Sequence, residues 1–261
     1  MTKKLIKKIE SKKIFIFDLD KTLTKSKAPL NRETADLLRH ILKNNYVAVI
    51  SGGMWSQFEN QLLKYLPKDT NLNNLLISTT SGSQLYKYES KDNKWFVVYT
   101  KTLPKEIRTQ IIEEIKKTIK ISGIDMPKKI YGQRYEDRLS QITMSAAGQK
   151  APLKIKMAWD PDSSKKLTLI KILRPKLPDL CITAGGSTSI DVTQKNIDKA
   201  FGVKQILKIL NLKVRDGIYI GDTIFPGGND YVVVKTGIDT VSVKDYIETR
   251  EILKVIKNIK K

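Results

Sequence analysis

The chain has 261 residues, 40% of them hydrophobic, and 48 lysines and arginines against 27 aspartates and glutamates, for a net charge of +21. That length holds one large domain or two modest ones, and no apolar run reaches the ~18 residues needed to cross a bilayer. A membrane-spanning protein is therefore excluded and a cytoplasmic one expected. The lone cysteine, Cys181, excludes an internal disulfide and fits a reducing compartment. Such a charge invites a nucleic-acid reading. The lysines, however, are spread almost uniformly and no RNA-binding aromatic motif is interleaved with them. The charge is read as a solvated surface that also favours anionic small molecules.

The first element is the apolar run Ile14-Phe15-Ile16-Phe17, a strand buried on both faces. It ends in Asp18-Leu19-Asp20-Lys21-Thr22. A helical period follows from Asn31 to Asn44, then a second buried strand, Tyr46 to Ile50, stopping at Ser51-Gly52-Gly53. Met54 to Tyr65 reads as a helix and Leu75 to Ser78 as a third strand. This alternation predicts a doubly wound parallel sheet, a Rossmann-like α/β core.

From about Leu85 the pattern changes. Alternating segments at Trp95 to Tyr99 and Gln141 to Ser145 surround helical stretches at Lys105 to Lys120 and Ser164 to Leu173, which predicts an inserted α+β cap. The α/β pattern resumes with a helix from Lys199 to Leu210 and strands at Gly217 to Ile220 and Thr240 to Val243. The expected division is 1–84 with 190–261 for the core and 85–189 for the cap.

Four polar clusters follow strands or open helices of the core: Asp18-x-Asp20-x-Thr22, Ser51-Gly52-Gly53, Asp198-Lys199, and Gly221-Asp222 with Gly227-Gly228-Asn229-Asp230. In a parallel sheet the carboxyl ends of the strands converge on one edge, so clusters distant in sequence meet in one crevice. Singly, each has a plainer explanation as a turn, a solvated lysine, or a helix cap at Thr22 and Thr24. Jointly they suit phosphoryl transfer. A carboxylate attacks phosphorus only if the repulsion between two anions is screened, and Mg²⁺ on oxygen ligands supplies the screening. Asp18 is the expected nucleophile and Asp20 the acid and base. The metal falls to Asp18, the Asp20 carbonyl and Asp222, helped by Asn229 or Asp230. Ser51 and the Gly52 backbone would hold phosphoryl oxygens, and Lys199 would balance charge.

The order of these clusters resembles the four motifs of the haloacid dehalogenase superfamily, in its subclass with a large α/β cap. Gly185-Gly186-Ser187-Thr188-Ser189-Ile190-Asp191-Val192 and the Pro226-Gly227-Gly228-Asn229-Asp230 insertion resemble the eukaryotic-type phosphomannomutases. The resemblance implies a sugar-hydroxyl contact at Asp191 and a grip on the non-reacting phosphate by Arg138 in the cap. Gln149, Lys156 and Lys27 stand where that family has further phosphate-binding arginines. Glutamine is uncharged and lysine is a point charge, which weakens bidentate clamping. Lys21 replaces a usual glycine. Thr22, Gly52 and Ser189 complete the expected substrate contacts.

The reading places interconversion of mannose 6-phosphate and mannose 1-phosphate first, with a hexose bisphosphate activator, and a sugar-phosphate phosphatase second. A basic nucleic-acid-binding protein on an idle scaffold stands third. The expected partners are a phosphorylated hexose, Mg²⁺ and, by the resemblance, a second copy through the cap.

Overall fold

The computed structural model describes residues 3–260, so the outermost ends of the expected core segments, Met1, Thr2 and Lys261, lie outside the described residues. The elements begin with α1 (Lys3–Glu10), β1 (Ile14–Phe17), α2 (Arg32–Ile41), β2 (Tyr46–Ile50), α3 (Trp55–Gln61), β3 (Leu75–Thr79), β4 (Gln84–Glu89) and β5 (Lys94–Thr100). Then come α4 (Lys105–Ser122), β6 (Tyr135–Asp137), β7 (Gln141–Ser145), α5 (Leu153–Trp159), α6 (Ser164–Leu173), β8 (Leu180–Ala184) and β9 (Ser189–Gln194). The chain closes with α7 (Lys199–Ile209), β10 (Gly217–Gly221), β11 (Asp239–Ser242) and α8 (Tyr246–Ile259).

Two compact units result. One is the chain up to Tyr99 and from Lys199 onward; the other is Thr100–Asp198. These boundaries correct the expected ones at 84/85 and 189/190. β4 pairs antiparallel with β3, Ile77 opposite Tyr86, and so extends the first sheet together with β5. The segment after Ser189 is β9, which pairs with β7 and β8 in the second unit.

In the first unit a seven-stranded sheet runs β11-β10-β1-β2-β3-β4-β5, with β11 through β3 parallel. All four residues of β1 are fully buried, as a strand covered on both sides demands. Phe15 and Phe17 pack with Leu38 and Ile41 of α2, Phe58 of α3 and Leu253 and Ile256 of α8. Ile14 and Ile16 turn the other way, onto Val203, Ile206 and Leu207 of α7. Each such side chain contributes ~1.5–3 kcal/mol by leaving water. Helices on both faces make the sheet doubly wound. Local signals set the helix starts: Asn31 caps α2 by accepting from Thr34 N, and Asp245 caps α8 by accepting from Ile247 N and Glu248 N.

The second unit is an antiparallel sheet, β6-β7-β9-β8. Its even-numbered residues Ile142, Met144, Ile190 and Val192 pack on Ile111 and Ile115 of α4 and Leu169, Ile170 and Leu173 of α6. Period-two alternation sends Thr143, Ser145, Asp191 and Thr193 to the opposite face. No helix among the described residues is long and apolar enough to cross a membrane.

Candidate active site

β1 and β10 are parallel neighbours, Phe17 opposite Ile220, and the chain leaves them in opposite directions, toward β2 and toward β11. That is a topological switch point, where a crevice opens at the carboxyl ends of the strands. Asp18 follows β1 directly, its N–H donating to Ile220 O at 3.0 Å. Asp222 follows β10, and Lys199 is the first residue of α7.

Lys199 Nζ donates to Asp18 Oδ1 and to Asp230 Oδ1, each at 2.6 Å, with the lysine only 2% exposed. Asp230 is the more fully engaged carboxylate. Besides Lys199 it accepts Tyr219 OH at Oδ1 and Thr223 N (3.1 Å) and Thr223 Oγ1 (2.8 Å) at Oδ2. A carboxylate offers about four acceptor positions, so these donors occupy most of those on Asp230, the single Thr223 hydroxyl proton being shared between Asp230 Oδ2 and Asn229 Oδ1. Gly228 shapes this loop: a Cβ there would stand 2.0 Å from Thr223 O.

Burial alone would raise the pKa of Asp230, but Lys199 and the hydroxyl donors outweigh it and hold the group below the usual carboxylate range. Burial pushes Asp18 well above that range; Lys199 pulls it back only in part, and Asp230 and Asp222 push it further. Burial, then Asp230, raises Asp222 to about 6, against the pull of Lys199 and Lys21. Burial opposes charge on Lys199, yet the two carboxylates keep its ammonium above the ordinary lysine value.

Oxygens of Asp18, Asp222 and Asp230 lie within 4.8 Å of one another. Three carboxylates stand against one buried ammonium. The donor set is hard oxygen and the unbalanced charge is about that of a divalent cation, so these residues fit Mg²⁺. With Asp230 the most engaged of the three, Asp18 and Asp222 carry more of the open positions. Asn229 is held one step away, accepting from Thr223 Oγ1.

Asp20 lies outside that carboxylate cluster. Its Oδ1 accepts from Lys27 N (2.6 Å) and Gln61 Nε2 (3.2 Å), its Oδ2 from Gln57 Nε2 (2.8 Å). Lys27 Nζ donates to Gln57 Oε1 at 2.7 Å. Ser51, 5% exposed, follows β2, with Gly53 N donating to its Oγ at 3.4 Å. The Thr22 hydroxyl is fully buried without a hydrogen-bond partner among the described residues, whereas Thr24 Oγ1 accepts from Gln61. Neither caps a helix.

In the second unit Asp191 sits opposite Thr143 on β7 and accepts from its hydroxyl at 2.8 Å. Ser189 opens β9. Arg138, 9% exposed, donates through Nε (2.9 Å) and Nη2 to Glu136 Oε2. Lys156 Nζ donates to the Gln149 carbonyl at 3.1 Å, and Gln149 Nε2 has no hydrogen-bond partner among the described residues.

A profile of the haloacid dehalogenase-like hydrolases matches residues 15–236. The chain belongs to that family. Curated relatives include the phosphomannomutase of Babesia bovis, 25% identical over 230 residues that cover 85% of this chain and 88% of the relative. Another is the phosphomannomutase of Encephalitozoon cuniculi, also 25% identical, covering 86% of this chain and 85% of the relative. Among solved structures, an IMP-bound Plasmodium falciparum IMP-nucleotidase superposes with a TM-score of 0.71 at 18% identity, covering 97% of this chain and 71% of that one. This last likeness speaks to fold. As a haloacid dehalogenase-like hydrolase the protein is a phosphotransferase or phosphatase, and Mg²⁺ is the usual metal of its family.

Sequence reasoning missed Tyr219, Thr223, Gln57, Gln61 and Glu136. Thr223 was the most accessible of these, being next to Asp222. The others sit inside a strand or on a helix surface, where nothing local distinguishes them.

Proposed function

We propose that the protein transfers a phosphoryl group through an aspartyl phosphate on Asp18 and passes it to water, as a phosphatase of small phosphorylated sugars. The observation that carries this reading is the Lys199 ammonium at 2.6 Å from Asp18 Oδ1, fixed from behind by Asp230. It leaves Asp18 Oδ2 as the attacking atom.

Asp18 Oδ2 forms a bond to phosphorus while the ester P–O bond breaks, and the departing alkoxide takes a proton from Asp20. Water then attacks the same phosphorus, gives its proton to Asp20, and releases phosphate with the Asp18 carboxylate restored. Ser51 and the Gly52 backbone bind phosphoryl oxygens, and Lys199 offsets the charge of nucleophile and phosphate. Mg²⁺, held by Asp18, Asp222 and the Asp20 carbonyl, would screen the repulsion between carboxylate and phosphate.

Hydrolysis is favoured over mutation by the second unit. A mutase must hold a second phosphate while the sugar turns over. Here Arg138 donates through Nε and Nη2 to Glu136, whose carboxylate competes with a phosphate for it, and Gln149 carries no charge. The mutase reading is supported by the relatives, those cited both being phosphomannomutases over most of their length. One assay separates the two. Mannose 1-phosphate is supplied with Mg²⁺, with and without a hexose bisphosphate, and both phosphate and mannose 6-phosphate are measured. Free phosphate as the main product is expected; isomerisation dependent on the bisphosphate would overturn the hydrolytic reading.

A further inference from the structure

We infer that Gln57 and Gln61 of α3 form an amide clamp that orients Asp20 for proton transfer, with Asp20 Oδ2 as the atom that gives and takes the proton. The inference rests on the acid and base role proposed above for Asp20. Each carboxylate oxygen has about two lone-pair positions. Oδ1 has both occupied, by Lys27 N and Gln61 Nε2, while Oδ2 has one occupied, by Gln57 Nε2. The remaining position is on Oδ2.

Both amides are fixed in their sense. Gln57 Oε1 accepts from Lys27 Nζ, so its NH₂ must face Asp20. The Gln61 NH₂ faces the Ala28 carbonyl at 3.1 Å as well as Asp20, and both are pure acceptors. Gln61 is 4% exposed and does not exchange this role with water. The backbone is cut to suit. Lys27, whose N–H donates to Oδ1, has φ +59°, in the left-handed region. A Cβ at Gly53 would stand 2.2 Å from Gln57 Oε1 and 2.6 Å from its Cδ, so the glycine leaves the room that Gln57 occupies. These side chains act through Asp20 and are positioning residues.

The test compares two phosphate monoesters. Mannose 6-phosphate releases an alkoxide that needs a proton; p-nitrophenyl phosphate releases a phenolate that does not. For Gln57→Leu and for Gly53→Ala, whose Cβ would crowd Gln57 from its amide to its Cβ, kcat/KM on mannose 6-phosphate is expected to fall roughly 10–100-fold, with less than about a threefold change on p-nitrophenyl phosphate. Asp20→Asn should show the same selectivity. Equal losses on both esters in folded variants would overturn the clamp, since a merely structural role does not distinguish leaving groups. Gln57 is half-buried, so Gln57→Leu serves if the more buried Gln61→Leu fails to fold. Asp18→Asn keeps the two failures apart. Activity surviving in that variant sinks the aspartyl-phosphate mechanism, whereas activity lost there together with uniform losses at Gln57 sinks the clamp alone.

Discussion

Lys199 holds Asp18 at 2.6 Å, yet the same ammonium is shared with Asp230, and Asp18, the proposed nucleophile, is the partner whose charge is less well supported. Burial opposes charge on Asp18 more than Lys199 offsets it. Asp18→Asn should therefore abolish turnover, by about 10⁴-fold or more, while stabilising the metal-free protein at pH 7. A gain of about 1 kcal/mol, roughly 2–4 °C in midpoint, is expected. Calorimetry of both proteins with chelator checks it; a lower midpoint for the variant would contradict the unbalanced charge.

A pH dependence follows from Asp222. The folded protein keeps this proton up to about 6, whereas the unfolded chain loses it near 3.8. Between those values the folded state binds more protons, so stability falls as pH rises through the window and is fully present below it. Asp18, also raised, acts in the same direction. The stability of metal-free protein, followed through its thermal midpoint, should decline from pH 4 to about 6.5, by up to about 3 kcal/mol. Millimolar Mg²⁺ should flatten the decline, and Mg²⁺ affinity by titration calorimetry should rise over the same interval.

Lys21 has φ +65°, a left-handed conformation that an L side chain adopts at a cost of ~1–2 kcal/mol. Glycine adopts it freely but gains entropy when unfolded. Lys21→Gly should stabilise the protein by a net ~0.5–1 kcal/mol in urea unfolding. It also removes a positive charge that lowers Asp222, so the pH decline described above should extend to higher pH. A destabilised variant would mean that the Lys21 side chain contributes more than its backbone costs.

Glu136 keeps Arg138 occupied. Glu136→Gln removes the negative charge that two Arg138 N–H groups engage, and inhibition by glucose 1,6-bisphosphate should tighten about tenfold, as one added charge-assisted contact implies. A companion gain in bisphosphate-dependent isomerisation would show how little separates the two reactions. An unchanged inhibition constant would remove Arg138 from second-phosphate binding.

The core was legible because its signals are local. Ile14 to Phe17 is too apolar to be anything but a doubly covered strand, and Asp18, Asp222 and Lys199 each sit at the end of an element whose period is plain. The second unit's boundaries were not legible. β4 and β5 alternate like half-exposed antiparallel strands, and nothing in Gln84 to Tyr99 announces that they pair with β3. Helices α1, α5 and α8 were missed, the first hidden among lysines. Gln57 and Gln61 escaped because their meaning lies in Asp20, 37 and 41 residues away. A glutamine on a helix has no pattern of its own until the fold supplies its acceptor.

The place of β1 in the sheet governs when this chemistry becomes available during synthesis. Asp18 emerges early, but the lysine that holds it is 181 residues later, and β10, which flanks β1 on one side, is later still. At about 5–20 residues per second a ribosome needs roughly 10–40 s to span that interval. Until then the nascent chain carries a bare Asp-x-Asp loop on an unfinished sheet edge. A release at Asp198 would yield a fragment with both opening aspartates but without Lys199, Asp222 and Asp230, so under the proposed mechanism an incomplete product is silent rather than a stray phosphate-transferring enzyme.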